Sequence, residues 1–289
     1  MKKIATYVLL LCMVLSLSAC GNVEITMQEI YDAGQTEAVL KNHQSVYIRE
    51  EWDGEVFDEK YLTKEYAYDY SPDEEFDYAQ FMTDDASYAY SSGDYLRYLF
   101  ITSDGVTNDF ASDRAEGYAS VLTTTIVDET IESVIKKDGR IIVNSFLGEE
   151  ALAELEEDGF TSGKTEYALD AKTYEVISVI ADYTLEDGTA FHTVTEVAYD
   201  AEVPEMIEVF LKYANQTEDL RDVTVVTNPG TEKEVSQNFQ IPKGLIIGFS
   251  WDDAFADKVE LYTDAACTEL YDPYVDTNSN LTVYVKWNV

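Results

Sequence analysis

The 289-residue sequence predicts an α+β fold: a curved antiparallel sheet with a helix on its concave face. Three observations lead there. A stretch of helical period precedes any strand pattern, at residues 26–42. From Ser45 onward, period-two alternation dominates and is punctuated by Gly, Asp and Ser turns. Few and short helical stretches interrupt the strands after that.

The chain opens Met1-Lys2-Lys3, continues as an almost unbroken apolar run from Ile4 to Leu17, and reaches Ser18-Ala19-Cys20. Charge before a short apolar core is the layout of a secretory signal. A helix over that run extends about 21 Å at ~1.5 Å per residue, short of a hydrocarbon core of ~30 Å. A permanent span is the poorer reading. Leu17-Ser18-Ala19-Cys20 resembles the lipobox of bacterial lipoproteins. The resemblance implies a signal peptide over 1–19, cleavage before Cys20, acyl chains on that residue and a lipidated tether over 20–25. It places the body on the extracytoplasmic face of a bacterial cell membrane. Each buried methylene contributes ~0.8 kcal/mol, so two chains hold where one exchanges. An ordinary signal peptide with an incidental Cys is the alternative.

The charge balance narrows the partners. With 57 acidic and 19 basic residues the formal net charge is −38. Such a surface is repelled by phosphate, which excludes nucleic acid and disfavours adsorption to anionic head groups. An apolar fraction of 46% is enough for a core and argues against wholesale disorder. Of three cysteines, Cys12 leaves with the signal, Cys20 carries lipid and Cys267 stays alone, so no intramolecular disulfide is expected. His43 and His192 are the only histidines and neither has a metal-ligand spacing. No metal or cofactor is expected.

Thr26-Met27-Gln28-Glu29 fits a capping box, and Met27, Ile30, Tyr31, Gly34 and Ala38 share one side of the helix that follows. Val46 and Ile48 alternate with polar neighbours before the hairpin turn Asp53-Gly54. Tyr66, Tyr68 and Tyr70 share a strand face. Phe76, Tyr78, Phe81, Tyr88, Tyr90, Tyr95, Tyr98 and Phe100 continue the aromatic supply in a meander. Ser103–Leu122 reads as a long loop or a short helix. Strands flank Asp138-Gly139, and a short helix lies between Gly148 and Gly159. Strands follow at 167–169, 176–184 and 191–199, the last two joined by Glu186-Asp187-Gly188. Pro204 then permits a helical turn over 205–213.

This order, with Leu169-Asp170-Ala171-Lys172-Thr173-Tyr174, Asp187-Gly188 and Val203-Pro204-Glu205, resembles carrier lipoproteins of the LolA/LppX kind. The resemblance covers 26–214 and implies a half-barrel that cups an apolar, lipid-like ligand. After residue 215 the texture changes. Leu261–Asp272 and Asn280-Leu281-Thr282-Val283-Tyr284-Val285-Lys286-Trp287 resemble the Listeria–Bacteroides repeat of internalin B type. That implies a small β-grasp-like surface module over 222–289. Gly248-Phe249-Ser250-Trp251 departs from the aromatic centre usual in that family.

Candidate ligand-binding residues are Met27, Ile30 and Tyr31 on the helix with Tyr66, Tyr68, Tyr88, Tyr90 and Tyr98 on the sheet. They have two readings, a lined pocket or cross-strand packing of a half-wet face. Acidic pairs such as Glu50-Glu51, Asp84-Asp85, Glu149-Glu150 and Asp252-Asp253 read as solvated surface. Asp276, Asn278 and Asn280 alternate like the start of a calcium loop but lack its turn glycine and bidentate glutamate. No nucleophile elbow, phosphate loop or dinucleotide motif occurs, and no catalytic residue is assigned. The expected role is non-catalytic binding or envelope maintenance at the membrane, with a lipid-like ligand. The alternative is a surface protein meeting a cell-wall or host component through its carboxy-terminal module. A hydrolase lacks recognisable machinery.

Overall fold

The computed structural model describes residues 24–72, 77–102, 105–111, 114, 129–149, 152–153, 159–251, 258–274 and 276–287. The signal segment, Cys20, Phe76, Asp252-Asp253, most of Ser103–Leu122 and most of the expected helix between Gly148 and Gly159 lie outside them. The described strands are mostly antiparallel and helices are few. The chain forms two compact units, residues 1–42, 50–55 and 120–198 in the first and 43–49, 56–119 and 199–289 in the second. The expected boundaries at 214 and 222 both fall inside the second.

In the first unit the expected helix is two: α1 (Met27–Ala33) and α2 (Thr36–Asn42). The capping box forms, with Thr26 Oγ1 accepting from Glu29 N–H at 3.2 Å and Glu29 Oε2 accepting from Thr26 N–H at 2.9 Å. Gly34, a weak helix former, ends α1, and the Gln35 side-chain amide donates to the Tyr31 carbonyl at 3.3 Å. Strands β8 (Glu129–Lys137), β9 (Arg140–Leu147), β10 (Phe160–Asp170), β11 (Val176–Leu185) and β12 (Ala190–Tyr199) follow as antiparallel neighbours in that order. Asp138 and Gly139 turn β8 into β9 with φ of 52° and 78°, the left-handed pair that an Asp-Gly hairpin supplies.

One face of this ladder buries Ile141, Val143, Leu147, Tyr167, Leu169 and Ala181. A polar knot sits within it. The Tyr167 hydroxyl donates to Glu129 at 2.6 Å and the Ser145 hydroxyl donates to the same carboxylate. Burial raises the Glu129 pKa, which these hydrogen bonds oppose, and burial also raises that of Tyr167. Gly163 has no room for a side chain: a Cβ there would meet Leu147 Cδ1 at 2.6 Å and Tyr183 Cδ1 at 2.8 Å. Gly163→Ala is expected to lower stability by about 1–3 kcal/mol in urea unfolding, as overpacking does. A cost under ~0.5 kcal/mol would mean that Leu147 and Tyr183 move aside freely.

In the second unit, β2 (Glu55–Thr63), β3 (Tyr66–Ser71), β4 (Tyr78–Thr83), β5 (Ser87–Ser91) and β6 (Asp94–Thr102) form the antiparallel meander. Residues 45–49 of β1 (Ser45–Trp52) flank β2. The stretch read as loop or helix holds a short strand, β7 (Gly105–Thr107), paired with β6, and beyond it Ala111 and Arg114 are helical, with Arg114 N–H donating to the Phe110 carbonyl at 2.9 Å. The Gln237 side chain extends that strand: Val106 N–H donates to Gln237 Oε1 at 2.6 Å, and Gln237 Nε2 donates to the Val106 carbonyl at 2.8 Å.

Strand β15 (Ile246–Ser250) adds in parallel to the far side of β6, Ile246 opposite Leu96 and Ser250 opposite Phe100. The rest of the carboxy-terminal segment builds a four-stranded sheet from β13 (Leu220–Thr227), β14 (Val235–Pro242), β16 (Val259–Tyr262) and β17 (Leu281–Trp287). Its order is β14-β13-β17-β16, with β13 and β17 parallel at its centre. Arg221, only 2% exposed, ties this segment together by donating to the carbonyls of Asp276, Ser279 and Leu245 at 2.8–3.3 Å.

Candidate functional site

Strand parity sorts the aromatic residues of the second unit onto two faces. Tyr61, Tyr68, Phe81 and Tyr88 stand opposite one another across β2, β3, β4 and β5, with Tyr66, Tyr70, Tyr90 and Tyr95 on the same side. Helix α3 (Glu205–Ala214) lies on this face. Phe210 stacks on Phe81 at 5.5 Å between ring centroids and an interplanar angle of 7°, and meets Tyr95 edge-on at 5.7 Å. The Tyr68 hydroxyl approaches Met206 Sδ at 3.6 Å. Val223, Val225, Ile241, Leu245, Ile247 and Val285 join the same buried cluster. Tyr66, Tyr68, Tyr88 and Tyr90 are therefore packed into this cluster or against it. Burial raises the pKa values of Tyr66 and Tyr88.

Tyr98 points the other way. It is three residues from Tyr95, so it faces the opposite side of the sheet, and its ring crosses the backbone of Gly248 in β15. A Cβ at Gly248 would sit 2.6 Å from Tyr98 Cε1, so the glycine is what lets β15 pair flush with β6. Next to it, an open groove of about 440 Å³ is lined by Tyr78, Gln80, Met82, Ser87, Tyr98, Phe100, Phe110 and Ser250. Five of these side chains are aromatic or thioether, and Gln80, Ser87 and Ser250 add a few polar atoms. That mixture and that size suit an apolar ligand fixed by a small number of hydrogen bonds. Tyr78 is 38% exposed, yet loss of hydration at its phenol pushes the pKa to about 12.

Of the sequence candidates, Tyr98 alone lines the groove. Met27 and Ile30 are buried and Tyr31 is half-buried in the first unit. Tyr78, Met82, Phe100 and Phe110 are lining residues that the sequence reading did not assign. The signal was present as parity: Phe100 is two residues from Tyr98, and Tyr78 is three from Phe81.

The same face carries a carboxyl pair missed in the sequence. Asp58 and Asp69 approach across β2 and β3, with Lys60 Nζ at 2.6 Å from Asp58 Oδ2 and Asp69 opposite both Lys60 and Gln80. Burial first, then the hydrogen bond and charge of Asp58, push the Asp69 pKa up to about 7, opposed by Lys60. Sequence-adjacent acids are used differently: Glu50 accepts from the Trp52 indole at 2.7 Å, and Asp84 pairs with Arg114 at 2.6 Å.

The calcium-like residues are committed to their own turn. Asp276 Oδ1 accepts from Asn278 and Ser279 N–H at 2.8 and 3.0 Å, which with the Ser279 side chain holds its pKa at about 2. Asn280 Oδ1 accepts from Asp222 N–H at 3.0 Å. Among the described residues no group of three or more His, Cys, Asp or Glu is placed to hold a metal, and no helix is long and apolar enough to cross a membrane. Half-exposed Cys267 sits in the turn that Asp264 organises by accepting from Ala266, Thr268 and Glu269 N–H.

No protein-family model and no curated protein sequence matches the chain. Among solved structures it is similar to the lipoprotein LppX of Mycobacterium tuberculosis, at 10% identity and a TM-score of 0.35, over 59% of this chain and 93% of that one. A LolA superfamily protein from Nitrosomonas europaea matches at 10% identity and a TM-score of 0.24, over 64% of this chain and 97% of that one. The MucA/MucB complex of Pseudomonas aeruginosa matches at 12% identity and a TM-score of 0.22, over 59% and 56%. The first two bear the LppX and LolA names of the kind that residues 26–214 resemble in sequence. Likenesses this remote leave the function to be argued from the residues.

Proposed function

We propose that this chain is a membrane-tethered extracytoplasmic lipoprotein, anchored through Cys20, that holds an apolar, lipid-like ligand without transforming it. The groove of about 440 Å³ carries the reading, because its aromatic walls stand open while the tyrosines of the opposite face are packed under α3. The charge of −38 supports a ligand bound through its apolar part rather than through an anionic head group. The absence of nucleophile, phosphate-loop and dinucleotide motifs from the sequence supports a carrier over an enzyme.

Native mass spectrometry of the full chain purified from its own host's membranes tests this. A co-purified lipid-like mass is expected. Phe100→Asp, which places a charge among Tyr98, Met82 and Phe110, is expected to reduce retention at least ~10-fold, since an unpaired charge in an apolar wall is costly. Equal retention by Phe100→Asp and the parent would sink the groove as the site.

A second reading, contact with a cell-wall or host component through a grasp-like carboxy-terminal module, is favoured by Leu270 and Tyr274. They are 66% and 67% exposed next to that segment's turns. The parallel centre of the β14-β13-β17-β16 sheet is compatible with a grasp-like arrangement.

A further inference from the structure

The second unit holds a larger cleft, of about 670 Å³, walled by residues 43–45, 61, 63–66 and 200–203. Its floor and walls are built rather than incidental. The chain enters the left-handed region at Asp200, with φ 52°, and this aims the carboxylate back at β1. There it accepts from Gln44 N–H at 2.7 Å and lies 2.9 Å from His43 Nδ1. His43 is in turn stacked on Tyr199 at 4.6 Å. The buried Tyr61 hydroxyl donates to the Ala201 carbonyl at 3.0 Å, which fixes the 200–203 segment over β2. Thr63 Oγ1 accepts from Glu65 and Tyr66 N–H at 3.1 and 2.9 Å and so holds the hairpin that carries Lys64 and Glu65. Half-buried Tyr66 lies nearly parallel to Tyr61, at 14° and 6.3 Å.

The lining decides the ligand class. Lys64, Glu65, Asp200 and Glu202 are exposed around the cleft, a wall too polar for a bare hydrocarbon chain. Three carboxylates and the charge of the whole chain repel an anion. The Asp200 carboxylate is already engaged by His43 and Gln44, and Lys64 opposes a cation. A neutral polyhydroxyl molecule matches the mixture of charged rim and aromatic wall. Its hydroxyls donate to Glu65 and Glu202 and accept from Lys64, and its C–H face packs on the Tyr66 ring. The volume lies within the usual ~300–1,000 Å³ of ligand pockets.

We propose that the cleft between Lys64, Tyr66 and Glu202 binds an uncharged carbohydrate, such as the end of a glycan chain on a cell surface. The site is separate from the groove and stands whether or not the groove holds lipid. The test titrates the full chain in detergent with chitotriose, standing for wall-type N-acetylhexosamine chains, with lactose for host-type glycans, and with spermidine as a cationic comparison, all by isothermal calorimetry. Saturable binding of at least one of the two sugars is expected. Tyr66→Leu, which stays apolar but removes the ring, and Glu202→Gln, on an exposed side chain, should each weaken that binding about 10-fold, through loss of ring packing in the first and of a charge-assisted contact in the second. Phe100→Asp should bind the sugar as the parent does, which separates this site from the groove. The proposal is overturned by no saturable sugar binding, by sugar binding that either of the two cleft substitutions leaves unchanged, or by a preference for spermidine.

Discussion

Phe210→Ala is expected to lower the free energy of unfolding by about 3–5 kcal/mol, the range for deleting a fully buried aromatic ring. Phe210 has no exposed surface and touches Phe81, Tyr68 and Tyr95 at once. Its removal takes away the ring that seals α3 onto the tyrosine face and leaves a cavity bounded by aromatic walls that keep their places in the strands. Urea unfolding followed by tryptophan fluorescence measures the loss. A change below ~1 kcal/mol would mean that α3 rests on the sheet loosely, and the tyrosine face would then become a better candidate ligand wall than the groove.

The second large effect is a dependence of stability on pH that originates at Asp69. Its folded pKa of about 7 lies well above the ~3.9 of an unfolded aspartate. Between those values the folded chain keeps a proton that the unfolded chain has lost, so stability falls as pH rises from about 4 to 7 and levels off above. One proton of difference corresponds to at most ~1.4 kcal/mol per pH unit. This runs against the usual behaviour of paired carboxylates, whose depressed pKa values make stability fall toward acid. Asp69→Asn preserves the shape and the hydrogen bond to Asp58 and removes the ionisation. The variant is expected to be more stable than the parent at pH 8 and no more stable at pH 4, read by urea midpoints at the two pH values. Equal gains at both would assign the effect to packing and not to the buried proton.

Local structure was legible where local chemistry specifies it. Asp53-Gly54 and Asp138-Gly139 turn as read, each with a left-handed pair of φ angles, and the Thr26–Glu29 box caps its helix. Pro204 starts α3. The shared face of Tyr66, Tyr68 and Tyr70 followed from period two alone. What covers that face was not legible, because the answer depends on long-range contacts. Phe210 and Met206 reach the tyrosines from more than a hundred residues away, and no pattern in either segment names its partner. The same holds for β15, whose Gly-Phe-Ser-Trp sequence read as an odd repeat centre and proves to be a strand added to β6. The groove was half legible. Parity separates Tyr98 and Phe100 from Tyr95, but the contribution of Phe110 comes from a stretch read as loop or helix. The Asp58–Asp69 pair was hidden for a related reason: adjacent acids are conspicuous in sequence, whereas two carboxyls lying diagonally across a hairpin, with Asp69 opposite Lys60, depend on register.

The parallel pairing of Ile246 with Leu96 bears on how the chain comes to be folded at all. A ribosome delivers the amino end first, so β6 emerges with one flank bare and waits while residues 120–198 of the first unit and then α3 are made. Closing so large a span is slow, and until it closes the strand offers an unpaired margin to any neighbouring copy. Ending synthesis after residue 214 is thus expected to leave the second unit unfinished. It would strip Val223, Leu245, Ile247 and Val285 from the interior and leave a sticky fragment.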